Sequence, residues 1–110
     1  MLSQAAIRDA ALGLAAAAHA PLKVILFGSY ARGDADEGSD LDLLVVEREI
    51  PDYNEEYLRL HRTLDTLGVG VDLLLFTEDE LEQKRDWWTT PVYWAAREGK
   101  VLYGCPHDTR

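Results

Sequence analysis

LKVILFGSYARGDADEGSDLDLLVV, residues 22–46, decides how this chain folds. LKVILF is a short, β-branched apolar run of the length a buried strand needs, and Gly28 closes it with a residue that tolerates close backbone approach or unusual dihedrals. Ser29 then reads as an N-cap, and Tyr30-Ala31-Arg32 as one helical turn before Gly33, which would offer backbone N–H groups to a phosphate. Arg32 either adds a positive charge beside that turn or pairs with Asp34 or Asp36. The acidic segment 34–39, DADEGS, is a loop, and LDLLVV at 41–46 is a second strand.

Side chains alternate between the faces of a strand, so Asp40 and Asp42 project from one side while Leu41 and Leu43 project from the other. Two like charges held so close repel unless one takes a proton or a cation sits between them. At the water-exposed start of a strand a cation is the natural solution. Magnesium suits such all-oxygen sites, because it commonly uses one or two carboxylates and completes its shell with waters and substrate phosphates. A third acid, Asp72, opens the apolar run GVGVDLLLFT; if its strand neighbours the second, three carboxylates meet at one sheet edge. Such a trio can hold two metals, or one metal and a base that takes a proton from an attacking hydroxyl.

Gly28-Ser29, ten intervening residues, Asp40-x-Asp42 and a later strand acid, Asp72, make the chain resemble the minimal nucleotidyltransferase (MNT) proteins of the DNA polymerase β-like nucleotidyltransferase superfamily. Ser39 stands where such proteins often carry a serine, and WAAREGKVLYG, residues 94–104, is similar to the way they end. The resemblance implies a nucleotidyltransferase fold that moves a nucleoside monophosphate from a triphosphate to a hydroxyl with two magnesium ions. Many small MNT proteins are antitoxins paired with a HEPN-domain ribonuclease toxin, and the best understood of them adenylylates a tyrosine of that toxin using ATP. By that analogy Asp40 and Asp42 hold the metals, Asp72 completes the second metal site and activates the hydroxyl, and Gly28 and Ser29 cradle the phosphates, with Arg32 and Ser39 beside them. Two other activities stay open: a non-catalytic antitoxin that works by binding, and transfer to a small-molecule hydroxyl of the aminoglycoside type. Larger relatives that act on antibiotics or transfer RNA add a helical domain for the acceptor, and 110 residues leave no room for one.

The rest of the chain supports a mixed sheet backed by helices, α/β or α+β. Ser3 to about Ala18 is an amphipathic helix with Ile7, Ala11, Leu14 and Ala18 on one stripe, stopped before Pro21. A helix from Tyr53, capped by Asp52 or Asn54, buries Tyr57, Leu60, Leu64 and Leu67 and ends at Gly68. The third strand spans 70–76, and Thr77 with Glu80 forms a capping box. Thr90-Pro91 opens a further helix to Glu98, and 100–103 is an edge strand. Trp87, Trp88, Tyr93 and Trp94 read as an aromatic cluster. Residues 1–104 form one domain and 105–110 a loose tail.

Twenty acidic residues against eleven basic ones give a net charge of −9, which disfavours direct contact with nucleic acid and suits a basic protein partner. Arg59, His61 and Arg62 read as a solvated helix face. The three histidines lack ligand-like spacing and read as surface residues. One cysteine, no secretory leader and no run long enough to span a membrane fit a cytoplasmic protein.

Overall fold

The computed structural model describes residues 2–84 and 99–104. In order along the chain it contains α1 (Gln4–Ala17), β1 (Pro21–Phe27), α2 (Ser29–Arg32), β2 (Leu41–Glu47), α3 (Tyr53–Arg62), β3 (Val71–Thr77), α4 (Glu78–Lys84) and β4 (Lys100–Tyr103). The strands form one mixed sheet in the order β3-β2-β1-β4. β1 lies antiparallel to β2 and β4, and β2 lies parallel to β3, reached through α3 in a βαβ crossover.

β2 is the spine. Apart from Asp42 every residue in it is buried, as expected for a strand covered on both faces. Leu41, Leu43 and Val45 join Val24, Leu26, Leu73 and Leu75 in the larger core, sealed by Ile7, Ala11 and Leu14 of α1 and by Leu60 and Leu64. Each fully buried leucine of that set contributes about 1.5–3 kcal/mol by leaving water. Leu44 and Val46 face the other way and pack with Ile25 and Phe27, flanked by Leu74, Phe76 and Leu81.

The expected strands appear within a residue at each end, and so do most of the helix signals. Ser3 caps α1 by accepting the Ala6 N–H at 3.1 Å, and Asp52 caps α3 by accepting the Glu55 N–H at 3.1 Å. The capping box is reciprocal: Thr77 Oγ1 accepts the Glu80 N–H at 3.2 Å while Glu80 Oε1 accepts the Thr77 N–H at 2.9 Å. α1 ends within a residue of the expected bound, with Ala18 as its extended C-cap and still packed against the core. Two expectations need correction. α3 ends at Arg62, not at Gly68. Thr63 Oγ1 donates to the Leu60 carbonyl at 2.8 Å, and the chain tightens into a 3₁₀ turn over Asp65–Leu67 before Gly68 at φ 77°. Arg59, on the face read as solvated, is half-exposed but tied down: its Nε donates to the Ala17 carbonyl at 2.9 Å and its guanidinium pairs with Glu56. The helix expected over 90–98, the aromatic cluster and the tail lie outside the described residues.

Arg59 belongs to a polar knot at the far end of β2. Glu47 and Glu56 are both buried. Glu56 Oε2 accepts the His19 N–H at 2.8 Å, and Glu47 Oε1 accepts the Ala20 N–H at 2.9 Å. Glu47 Oε2 is buried with no hydrogen-bond partner among the described residues, which favours a proton there, facing Glu56. Burial pushes the Glu47 carboxyl up to about 7, the Glu56 contact adding to it and the Ala20 N–H opposing it. Burial also works against charge on Glu56, yet Glu47, the His19 N–H and Arg59 outweigh it and hold that carboxyl below its usual range.

A raised carboxyl in the folded state contributes stability that is full below its unfolded value of 4.5 and is lost as pH climbs through about 7. Glu56, shifted downward, is already ionised across this window and leaves the slope to Glu47. Thermal melts should therefore show Tm falling by on the order of 5 °C between mildly acidic and mildly alkaline buffer. Glu47→Gln, which keeps the shape of the side chain without titrating, should flatten that slope; equal slopes in the two proteins would refute Glu47 as the titrating group.

Candidate active site

The parallel register of β2 and β3 sets Asp42 directly beside Asp72. Neighbouring strands stand about 4.8 Å apart and paired residues share a face, so these two carboxylates are adjacent although thirty positions separate them in sequence. On the other side of β2, Asp42 is paired with Phe27, the residue before Gly28. Asp42 and Asp72 lie on the face that carries Leu44 and Leu74, opposite α1 and α3.

Gly28 adopts φ 76°, ψ −156°, a region costly for a residue with a side chain. A Cβ there would fall on Asp42 Oδ2, with Asp42 Cγ only 2.9 Å away. Gly28 is therefore required twice, for its backbone angle and for the space the carboxylate occupies. Its carbonyl accepts the N–H groups of Ala31 and Arg32, both at 3.0 Å, so the helical turn starts one residue earlier than expected. Gly28 is the N-cap and Ser29 the first helical residue, which corrects the assignment of Ser29 as a side-chain cap. Gly33, at φ 85°, ends the turn.

Asp40 is delivered by the loop that precedes β2. Asp36 Oδ1 accepts the Gly38 N–H at 2.9 Å and the Ser39 hydroxyl at 3.2 Å, while Ser39 Oγ accepts the Asp36 N–H at 2.9 Å. The loop is thus a folded Asx-type turn, and Ser39 is engaged in holding it. Past the turn the Leu41 N–H donates to the Gly70 carbonyl at 2.8 Å, which fastens the chain between Asp40 and Asp42 to the segment leading to Asp72.

Sequence reasoning passed over Gly70. A Cβ at this position would land on Asp40 Oδ1, with Asp40 Cγ at 3.1 Å. Two glycines around Val69, immediately before an acid-bearing strand, were the available signal.

The acids feel one another. Asp42 is half-buried, and its carboxyl is raised above the ordinary range, first by partial burial, then by Asp72 and Asp40, with Arg32 pulling the other way. Arg32 Nε reaches Asp34 Oδ2 at 3.4 Å, both side chains being exposed, so the pairing weighed from sequence exists while the cation still acts on Asp42. Among the described residues no three carboxylate, imidazole or thiol groups stand close enough, as placed, to share one ion. The adjacent pair Asp42 and Asp72, with Asp40 beside them, nonetheless offers hard oxygen donors of the kind magnesium takes one or two at a time. Gly28 and Gly70 leave the Asp42 and Asp40 carboxylates the room that a side chain would take.

Gly70→Ala tests how Asp40 is positioned. The colliding atom is the far end of an exposed side chain, so the fold should survive while the Asp40 carboxylate swings away. Titration with Mn²⁺ followed by electron paramagnetic resonance should show affinity reduced about tenfold or more, the size expected when a ligand loses its orienting contact. The circular-dichroism melt should stay close to that of the parent; unaltered Mn²⁺ affinity would show that the space at Gly70 does not govern Asp40.

Comparison with known proteins places this arrangement. The model of the nucleotidyltransferase domain matches residues 13–90. A Methanocaldococcus jannaschii protein, named provisionally as a protein adenylyltransferase, is 37% identical over 81 residues, covering 74% of this chain and 77% of its own. Several other curated relatives are spanned over about half of their length. Among solved structures, a chain of a toxin–antitoxin crystallised with AMP-PNP superposes with a TM-score of 0.70 at 24% identity, covering 92% of this chain and 76% of that one. A chain from the complex of a tri-AMPylated Shewanella oneidensis HEPN toxin with an MNT antitoxin superposes at 0.63 with 20% identity, over 96% and 76%. At these identities the superpositions speak for the fold, and the fold is that of the minimal nucleotidyltransferases. With the matched domain model spanning most of its length, the chain belongs to the nucleotidyltransferase family.

Proposed function

We propose that the chain is an antitoxin nucleotidyltransferase that transfers AMP from ATP to a tyrosine hydroxyl of a HEPN-type ribonuclease toxin and thereby neutralises it. The observation that carries the reading is the register that sets Asp42 against Asp72 beside the Gly28 turn. The toxin–antitoxin complexes among the structural neighbours, one of them crystallised with an ATP analogue, supply the partner and the nucleotide by analogy.

In this reading Asp40, Asp42 and Asp72 hold magnesium, which when bound would neutralise charge on the triphosphate. The turn at Gly28 and Ser29 receives the phosphates, and Arg32 adds positive charge next to Asp42. Ser39 acts through the turn that delivers Asp40. Asp72 takes the phenolic proton as the tyrosine oxygen bonds to the α-phosphorus and the bond to pyrophosphate breaks. Removing that proton makes the phenol a competent nucleophile.

Intact-mass spectrometry of the toxin partner, incubated with this protein, magnesium and each nucleoside triphosphate in turn, tests the reading. ATP should add one or more AMP units, and Asp42→Asn should abolish the gain while the circular-dichroism spectrum stays that of a folded protein. A stable complex without any mass gain would replace transfer by neutralisation through binding.

A further inference from the structure

On the sheet face opposite the carboxylates lies a cleft of about 340 Å³ between the first turn of α1, the end of β1, α2 and the start of β4. Its floor is apolar: Leu2, Ile7, Leu26 and Leu102. Ile7 and Leu26 belong to the buried core, which fixes the floor in place, and Leu102 packs against them. Gln4, Arg8, Tyr30 and Lys100 bring polar groups to the remainder, which Gly33 and Ala35 complete. Arg8 and Lys100 bring two positive charges, and Tyr30 accepts the Leu2 N–H at 3.2 Å, leaving its own hydroxyl proton to donate. Among the described residues neither Arg8 nor Lys100 is in an ion pair.

The charge pattern is what singles this cleft out. The chain carries twenty acids and a net charge of −9, yet among the described residues no acid lines the cleft, while Arg8 and Lys100 both do. An apolar floor with a few convergent polar groups, at this volume, is the usual make-up of a small-molecule site. We propose that it binds a small anion with a flat apolar body, the body on Leu26 and Leu102 and the anionic head between Arg8 and Lys100, with the Tyr30 hydroxyl as a third donor. The site shares β1 and α2 with the carboxylate edge but lies on the other sheet face, and it does not depend on the proposed transfer.

Amide NMR of the full chain, titrated with 2-naphthoate, tests this directly. 2-Naphthyl phosphate and neutral 2-naphthamide run in parallel distinguish a carboxylate from a phosphate head and either from apolar contact alone. Saturable shifts are expected at Leu26, Tyr30 and Leu102 and not at Leu74 or Phe76 on the other face. The Kd should be millimolar, about what a ligand of this size can reach. The neutral amide, and either Arg8→Gln or Lys100→Gln with an acid ligand, should bind about fivefold more weakly, as expected for one lost charge-assisted contact. Both side chains are exposed, so neither variant threatens the fold. No saturable binding of either acid, shifts confined to the Leu74 face, or affinity unchanged in both variants would overturn the proposal.

Discussion

Three carboxylates crowded at the end of a sheet repel one another, and much of this molecule can be understood as the structure that holds them there regardless. Repulsion between side chains on adjacent strands must be met by something stronger. Here that is the burial of β2 on both faces: Leu41, Leu43, Leu44, Val45 and Val46 all leave water, and the strand that carries Asp42 cannot shift without exposing them. The hydrogen bond from Leu41 to Gly70 then ties the start of β2 to the start of β3. The acids are held by a scaffold whose stability comes from elsewhere along the same strands.

The same strand is polar at both ends. At its start Asp42 is half-buried among like charges, with Arg32 opposing them. At its end Glu47 is fully buried beside Glu56, and burial favours its neutral form, while Arg59 pairs with Glu56. Burial raises both carboxyls; at the start of the strand like charges add to it and Arg32 offsets part of it, and at the end the Glu56 contact adds to it and the Ala20 N–H offsets part of it.

How much of this was legible beforehand depends on the range of the interaction. Strands 22–27 and 41–46 announce themselves by β-branched runs, and the caps at Ser3, Asp52 and Thr77 by side chains that act within three residues. Asp40 and Asp42 stood out because their spacing is local. The neighbour relation between Asp42 and Asp72 was only conditional, since pairing of two strands is decided by the α3 crossover. Gly70 was missed for the same reason: what makes it necessary is a carboxylate thirty residues earlier. Arg59 looked like a surface charge because its partner, the Ala17 carbonyl, comes from another helix. Ser29 was misassigned by a single position, because a glycine at positive φ can cap a turn with its carbonyl alone.

Among the described residues β3 is an outer strand of the sheet, hydrogen-bonded to β2 alone. Release of an outer strand breaks one hydrogen-bonded ladder where release of a central strand breaks two. Asp72 rides on that strand, whereas Asp42 sits on the spine. Fraying confined to the start of β3 would carry Asp72 away from the other two acids while Leu73 and Leu75 stayed in the core. A molecule docked along that outer edge would hold Asp72 in place, and its binding would then be coupled to the integrity of the acidic edge.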